Sequence, residues 1–172
     1  MEIQLIAAVD KNWGIGFQGG LLFYSRYDMA HFKEKTIGHA VIMGRKTMES
    51  LPDGNPLPGR LNIVLTRSKR ESLEKKGIYT VSGIDECIEL LKRMHIEIAF
   101  VIGGESVYQN FLKKASSACI TKIDGEAQAD TWFPNLDLEK DWVLEQVKDS
   151  WKENGIQFRI CYYRCVKFNQ GS

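Results

Sequence analysis

The chain has 172 residues, about one domain's length, and is 44% hydrophobic and 26% charged, which excludes wholesale disorder and fibrous architectures. Lys and Arg number 23 against 22 Asp and Glu, a formal charge of +1 without the basic excess of a dedicated nucleic-acid binder, so any anionic ligand must be held by local cations. No apolar stretch approaches the roughly 20 residues of a membrane span, and Met1-Glu2-Ile3-Gln4 lacks the basic start and long apolar core of a secretory signal, so the cytoplasm is the expected compartment.

In chain order, Ile3–Val9 is a short run of β-formers that predicts a buried strand. Gly14-Ile15-Gly16-Phe17-Gln18-Gly19 matches the dinucleotide pattern G-x-G-x-x-G. Asp10 to Trp13 separate it from the strand, however, and Gly19-Gly20 stands where a helix should be running. The segment therefore reads as a mobile loop, either one that closes over a ligand or a plain solvent-exposed turn. Asp28, Met29, Phe32 and Lys33 mark a short helix. Its carboxylate, on the inner side near a cleft, must pair with a cation or a ligand; the alternative is a simple helix-start cap. Ala40–Met43 is a strand, followed by Gly44 and a helix from Arg45 to Leu51 that Pro52 closes. Arg60, after Pro58-Gly59, is either a fork for a carboxylate or a solvated charge ahead of a strand at Leu61–Leu65.

Ile78–Val81 is a further strand, and Ile84, Cys87, Ile88 and Leu91 follow helical spacing behind a Ser82–Asp85 capping box. Ile98–Ile102 leads through Gly103-Gly104 into a stripe of Val107, Tyr108, Phe111, Leu112 and Ala115, and Ala118–Ile123 is strand again. Trp142–Val147 and Ile156–Val166 bracket Asn154-Gly155, a hairpin signal. Ile156, Phe158, Ile160 and Tyr162 alternate with Gln157, Arg159 and Cys161, which predicts one wet face. Continuous apolar runs separated by helices predict an α/β fold. Its form is a central, mostly parallel mixed sheet flanked by helices and ending in an antiparallel C-terminal hairpin, one domain over residues 1–172.

For chemistry, two helix starts preceded by glycine stand out, Gly44-Arg45-Lys46-Thr47 and Gly103-Gly104-Glu105-Ser106. Free first-turn N–H groups and the helix dipole favour phosphates there, and Arg45, Lys46 and Arg67 add charge for a further phosphate such as the one distinguishing NADPH from NADH. Cys87, Cys119, Cys161 and Cys165 show no C-x-x-C spacing; Cys161 and Cys165 could share a strand face as half a metal site, but buried thiols in a reducing compartment are the expectation, with no metal. His31, His39 and His95 show no triad-like setting, and no G-x-S-x-G supplies an acyl-transfer nucleophile.

The order of motifs resembles a bacterial dihydrofolate reductase along nearly the whole chain. The runs are Leu5 to Gly16, Asp28-Met29 with Phe32-Lys33, Val41 to Ser50, Pro56 to Arg60, Asn62 to Arg67, Val101 to Tyr108, Thr121 to Asp124 and Ala129 to Pro134. The resemblance implies NADPH-dependent reduction of 7,8-dihydrofolate to tetrahydrofolate in one-carbon metabolism, by a monomer without nucleic-acid or membrane partners. It implies catalytic roles for Asp28, the acid that binds the pterin edge, and for Thr121, which supports that contact through water. Arg60 would hold the glutamate α-carboxylate. Ile6, Ala8, Phe23, Phe32, Leu51, Leu57, Ile102 and Tyr108 would line the substrate pocket. Ala8, Ile15 and Gly16 would lie on the nicotinamide side. Gly44, Arg45, Lys46, Thr47, Leu65, Thr66, Arg67, Ile102, Gly103, Gly104, Glu105, Ser106, Val107 and Tyr108 would contact the rest of the cofactor. A cis Gly103-Gly104 peptide is implied as well.

One stretch departs from the pattern. Where the family reads Leu-Leu-Trp, an apolar residue and Pro ahead of the acid, this chain reads Leu21-Leu22-Phe23-Tyr24-Ser25-Arg26-Tyr27-Asp28. Phe23 cannot donate the hydrogen bond of an indole, so a water beside Asp28 would need Thr121 or Tyr24. The change is either drift with a repacked helix start or an altered folate pocket reached by Arg26 or Tyr27. Rival readings are a reductase of another pterin or of a riboflavin-pathway ribosylaminopyrimidine on the same scaffold, or a non-catalytic nucleotide-binding homologue.

Overall fold

Five parallel pairings and two antiparallel ones build the main sheet of the computed structural model, which describes residues 1–169. In chain order the elements are β1 (Glu2–Val9), β2 (Gly14–Phe17), β3 (Gly20–Leu21), α1 (Arg26–Thr36), β4 (Ala40–Gly44), α2 (Arg45–Ser50), β5 (Leu61–Leu65), α3 (Arg70–Glu74) and β6 (Tyr79–Val81). They continue with α4 (Ile84–Arg93), β7 (Ile98–Gly103), α5 (Glu105–Phe111), β8 (Ser117–Ile123), β9 (Thr131–Trp132), β10 (Trp142–Glu153) and β11 (Ile156–Cys165). The eight-stranded sheet has the order β10-β11-β8-β1-β7-β4-β5-β6. From β8 to β6 all neighbours are parallel, and the β10–β11 hairpin closes one edge antiparallel, as expected. Its turn places Asn154 and Gly155 both at positive φ, the geometry a two-residue hairpin needs.

The parallel strands are apolar along their length because both faces are covered. On one face Ile3, Leu5, Ile42, Ile63 and Val101 pack with Cys87 and Leu91 of α4 and Val107 and Phe111 of α5, together with Cys161 and Cys165. On the other, Ile6, Val41, Met43, Phe100 and Ile160 pack with Met48 and Leu73, and with Cys119. All four thiols are free and buried.

Three expectations are corrected. The glycine-rich segment is not a loop: β2 pairs with β3 and β9 in a second, antiparallel sheet, because the Asp10 carboxylate accepts from the Gly14 amide (2.8 Å) and fixes the start of β2. The expected wet face of β11 is wet only near its start, at Gln157 and Arg159; Cys161, Tyr163 and Cys165 on that same face are buried in the core. The capping box before α4 uses Glu86 rather than Asp85; its carboxylate accepts from the Ser82 amide and hydroxyl, with Gly83 as the cap residue. The five-residue α3 and the two-residue β9 fall below what periodicity can reveal.

Candidate active site

Five strands of the main sheet deliver a predicted site residue at or near the carboxyl end: Ala8 on β1, Gly44 on β4, Leu65 on β5, Gly103 on β7 and Thr121 on β8. Open α/β sheets bind ligands there. Ala8 and Thr121 are register partners on adjacent strands.

α1 crosses this end of the sheet without an apolar stripe of its own. Met29 is 45% exposed, while Phe32 packs on the core layer of this face and Thr36 is buried. The helix is held at its ends instead. Ser25 caps the start by accepting from the Asp28 amide (3.1 Å), and Lys33 and Lys35 in the last turn complement the dipole. Asp28 is therefore the third residue of the first turn, and Thr121 Oγ1 donates to its Oδ1 at 2.5 Å. Burial raises the Asp28 pKa above the usual carboxylate value, against the opposing pull of the Thr121 hydrogen bond and of His31. His31 Nε2 in turn lies 3.3 Å from Cys119 Sγ, a thiol that burial pushes up to about 11; it is no catalytic dyad.

An apolar wall adjoins the acid. Ile6 belongs to the core layer on this face, and Phe32, Leu51, Leu57 and Ile102 pack against that same layer. Phe23 lies outside it, with its ring over Gly125, where an added Cβ would come within 3.0 Å of Phe23 Cζ. Tyr108 is buried, and its hydroxyl donates to the Ile6 carbonyl (2.7 Å), so it braces β1 from behind the wall.

The segment before β5 is built by a residue that sequence reasoning missed. Asn62 accepts from the Leu57 amide (2.9 Å) and donates to the carbonyls of Leu57 and Arg60, both at 3.0 Å. Gly59 takes φ +70°, and a Cβ there would lie 2.6 Å from Ile37 Cδ1. Arg60 then reaches back to α1: Nη1 donates to Thr36 Oγ1 (3.1 Å) and Nε to the Pro58 carbonyl (2.9 Å). A polar residue interrupting the apolar run Leu61–Leu65 was the available signal for Asn62. Thr36 gave none.

On the other side of the wall, α2 and α5 begin next to each other. Gly44 caps α2 and Gly104 caps α5, neither with a side-chain hydrogen bond to its first turn. The Gly103-Gly104 peptide is cis, as the resemblance implies. A Cβ on Gly103 or Gly104 would meet Thr47 Oγ1 at 3.5 Å, and one on Gly44 would meet Val107 at 3.3 Å. Glu105 accepts from the Trp132 amide (3.0 Å), which ties this corner to β9 and so to Ile15 and Gly16 in β2. Thr66 and Arg67 follow β5 directly. Arg45 pairs with Glu49 (2.8 Å), whereas among the described residues Lys46 and Arg67 have no carboxylate within ion-pair distance. Ser106 lies in the first turn of α5.

A groove of about 850 Å³ lies elsewhere, at the β6 edge among Arg70, Glu74, Tyr79 and Glu86. Arg70 there is engaged with Thr80 and Glu86, and the groove contains none of the predicted site residues. Among the described residues no group of His, Cys, Asp and Glu stands together as metal ligands would, and no helix is long and apolar enough to cross a membrane.

Comparison with known proteins agrees with this arrangement. The profile of the family "Dihydrofolate reductase" matches residues 2–165. The chain is 37% identical over 151 residues to the dihydrofolate reductase of Bacillus subtilis, covering 88% of this chain and 86% of that one. It is 34% identical over 183 residues to the enzyme of Schistosoma mansoni, covering 95% and 96%. For that of Staphylococcus aureus the figures are 33% over 144 residues, covering 84% of each.

Proposed function

The chain belongs to the dihydrofolate reductase family, and from that premise we propose that it reduces 7,8-dihydrofolate to tetrahydrofolate with NADPH, as a monomer in a reducing cytoplasm. The observation that carries the reading is Asp28, a carboxylate held by Thr121 at the rim of the apolar wall formed with Ile6, Phe32, Leu51, Leu57 and Ile102. Thr121 occupies Oδ1 and leaves Oδ2 to accept from the ring N3 and 2-amino group of a pterin. The acid held in this way orients the flat ring against the wall and favours its protonated forms, so that N5 takes a proton from water as C6 is reduced. Arg60, steadied through Thr36, offers the rest of its guanidinium to the glutamate α-carboxylate. That fork favours folate over a substrate lacking the glutamate.

The residues present fit the cofactor. The glycine caps of α2 and α5 leave their first-turn amides without a side-chain acceptor, in a cradle that a Cβ would crowd. Gly44 to Thr47 and Gly103 to Tyr108 would hold the phosphates and ribose, with Leu65 and Thr66 alongside. Lys46 and Arg67, without carboxylate partners among the described residues, would hold the additional phosphate that marks NADPH. Ala8, Ile15 and Gly16 would border the nicotinamide. When bound, the reduced nicotinamide supplies the hydride. The protein's contribution is alignment of the two reacting carbons and exclusion of water.

Purified protein mixed with NADPH and dihydrofolate tests this directly. Loss of the near-ultraviolet band of reduced nicotinamide that requires dihydrofolate is expected, slower with NADH. An unchanged band with both cofactors overturns the proposal.

A further inference from the structure

The start of α1 poses a conflict. In a helix that begins Ser-x-x-acid, the acid at the third position reaches back to the backbone N–H of the cap residue. Asp28 holds that position behind Ser25, yet its Oδ1 is engaged with Thr121. The capping acid comes instead from the far end of the chain. Glu153, the last residue of β10, accepts from the Arg26 amide on Oε2 and from Ser25 Oγ on Oε1, both at 2.9 Å. The Ser25 hydroxyl directs its one proton to Glu153 and accepts from the Asp28 amide (3.1 Å) and from Trp151 Nε1 (3.2 Å), so it is fully used. Tyr27 adds its ring 4.3 Å from that of Trp151, which stacks on buried Phe158 at 5.3 Å. Tyr27 thus faces the hairpin.

The departure at Ser25-Arg26 fits the same picture. Proline at the first helical position has no N–H. Arginine there presents one, and Glu153 receives it. The carboxylate is held below its usual pKa by the Arg26 amide foremost and by Ser25.

We propose that Glu153 is a positioning residue for Asp28: by capping α1 in that residue's place, it leaves the Asp28 carboxylate to the substrate. The proposal rests on the reading of Asp28 as the group that grips the pterin edge. Without Glu153, the Asp28 carboxylate is drawn back toward the unpaired N–H groups at the helix start, and substrate loses its partner.

The test compares wild type, Glu153→Ala, Glu153→Gln and Arg26→Pro with and without Glu153→Ala, measuring kcat, KM for dihydrofolate and Kd for NADPH. In Glu153→Ala, KM for dihydrofolate rises about tenfold, as loss of a helix cap allows, while kcat falls less than about threefold and the NADPH Kd stays within about twofold. Glu153→Gln keeps a carbonyl acceptor and raises KM only about threefold; it carries the test by itself if the alanine variant does not fold. In the Arg26→Pro background the amide is gone, and Glu153→Ala changes KM less than about threefold. An unchanged KM in Glu153→Ala overturns the proposal, as do equal losses of dihydrofolate and NADPH affinity or a glutamine variant no better than alanine. A wild type that does not turn over dihydrofolate removes the premise and the proposal together. A wild type that does, beside an unchanged Glu153→Ala, removes the proposal alone.

Discussion

Replacing Asn62 with alanine should loosen the segment that carries Leu57 and Arg60 while leaving the cofactor side intact. Asn62 is 4% exposed, and its amide makes three hydrogen bonds, one from the Leu57 amide and two to the carbonyls of Leu57 and Arg60. Each is worth about 1 kcal/mol net, and the partners left unpaired in a half-buried loop raise the total to roughly 2–4 kcal/mol. In a chain of this size that lowers the Tm by roughly 5–12 °C. Thermal unfolding followed by circular dichroism reads the first effect, and steady-state kinetics reads the second: KM for dihydrofolate rises while KM for NADPH holds. Asn62→Asp sharpens the argument. Its carboxylate would face two carbonyls, so its folded pKa would rise above the unfolded value; stability would match wild type best below about pH 4 and fall as pH climbs. A Tm within about 2 °C of wild type for Asn62→Ala, with an unaltered KM for dihydrofolate, would refute the claim that this side chain builds the loop.

Asp28→Asn should fold and lose at least about a hundredfold in turnover, measured at saturating NADPH. Because burial raises the Asp28 pKa in the folded state, its contribution to stability is fully present below the unfolded value and is lost as pH rises through the folded one; the asparagine variant should therefore gain Tm over wild type between mildly acidic and neutral pH, and a constant difference would count against a raised pKa. Arg60→Lys replaces a fork with a point charge and should weaken dihydrofolate about tenfold but leave a pterin without the glutamate tail unaffected, as comparison of the two KM values will tell. Arg67→Ala should lower the preference for NADPH over NADH about tenfold, with kcat/KM for each cofactor as the measurement and equal losses for both as the contrary result.

What the sequence made legible was what local pattern controls. Leu61–Leu65 is a strand to the residue, because a run buried on both faces needs no information from elsewhere. The motifs around Gly44, Gly103 and Asp28 were legible as an ordered set, and the structure brings Asp28 and Thr121 into contact from 93 positions apart. Gly14–Phe17 was misread because its extended form depends on the Asp10 carboxylate and on pairing with a strand more than a hundred residues later. α1 lacks a stripe because caps and a hydroxyl hold it, not apolar burial. Glu153 carried no signal at all. It sits in a strand of charged, exposed residues, and its partner Ser25 lies 128 positions away.

The placement of the cysteines turns the molecule into its own stopwatch. Cys87, Cys161 and Cys165 belong to one side of the sheet and Cys119 to the other, and burial pushes Cys87 up to about 12 as well as masking it. An alkylating reagent therefore finds nothing to modify until a whole side of the protein comes apart. Mass spectrometry of which sulfur is tagged first would report whether the two sides separate in concert or in turn, with no label engineered in.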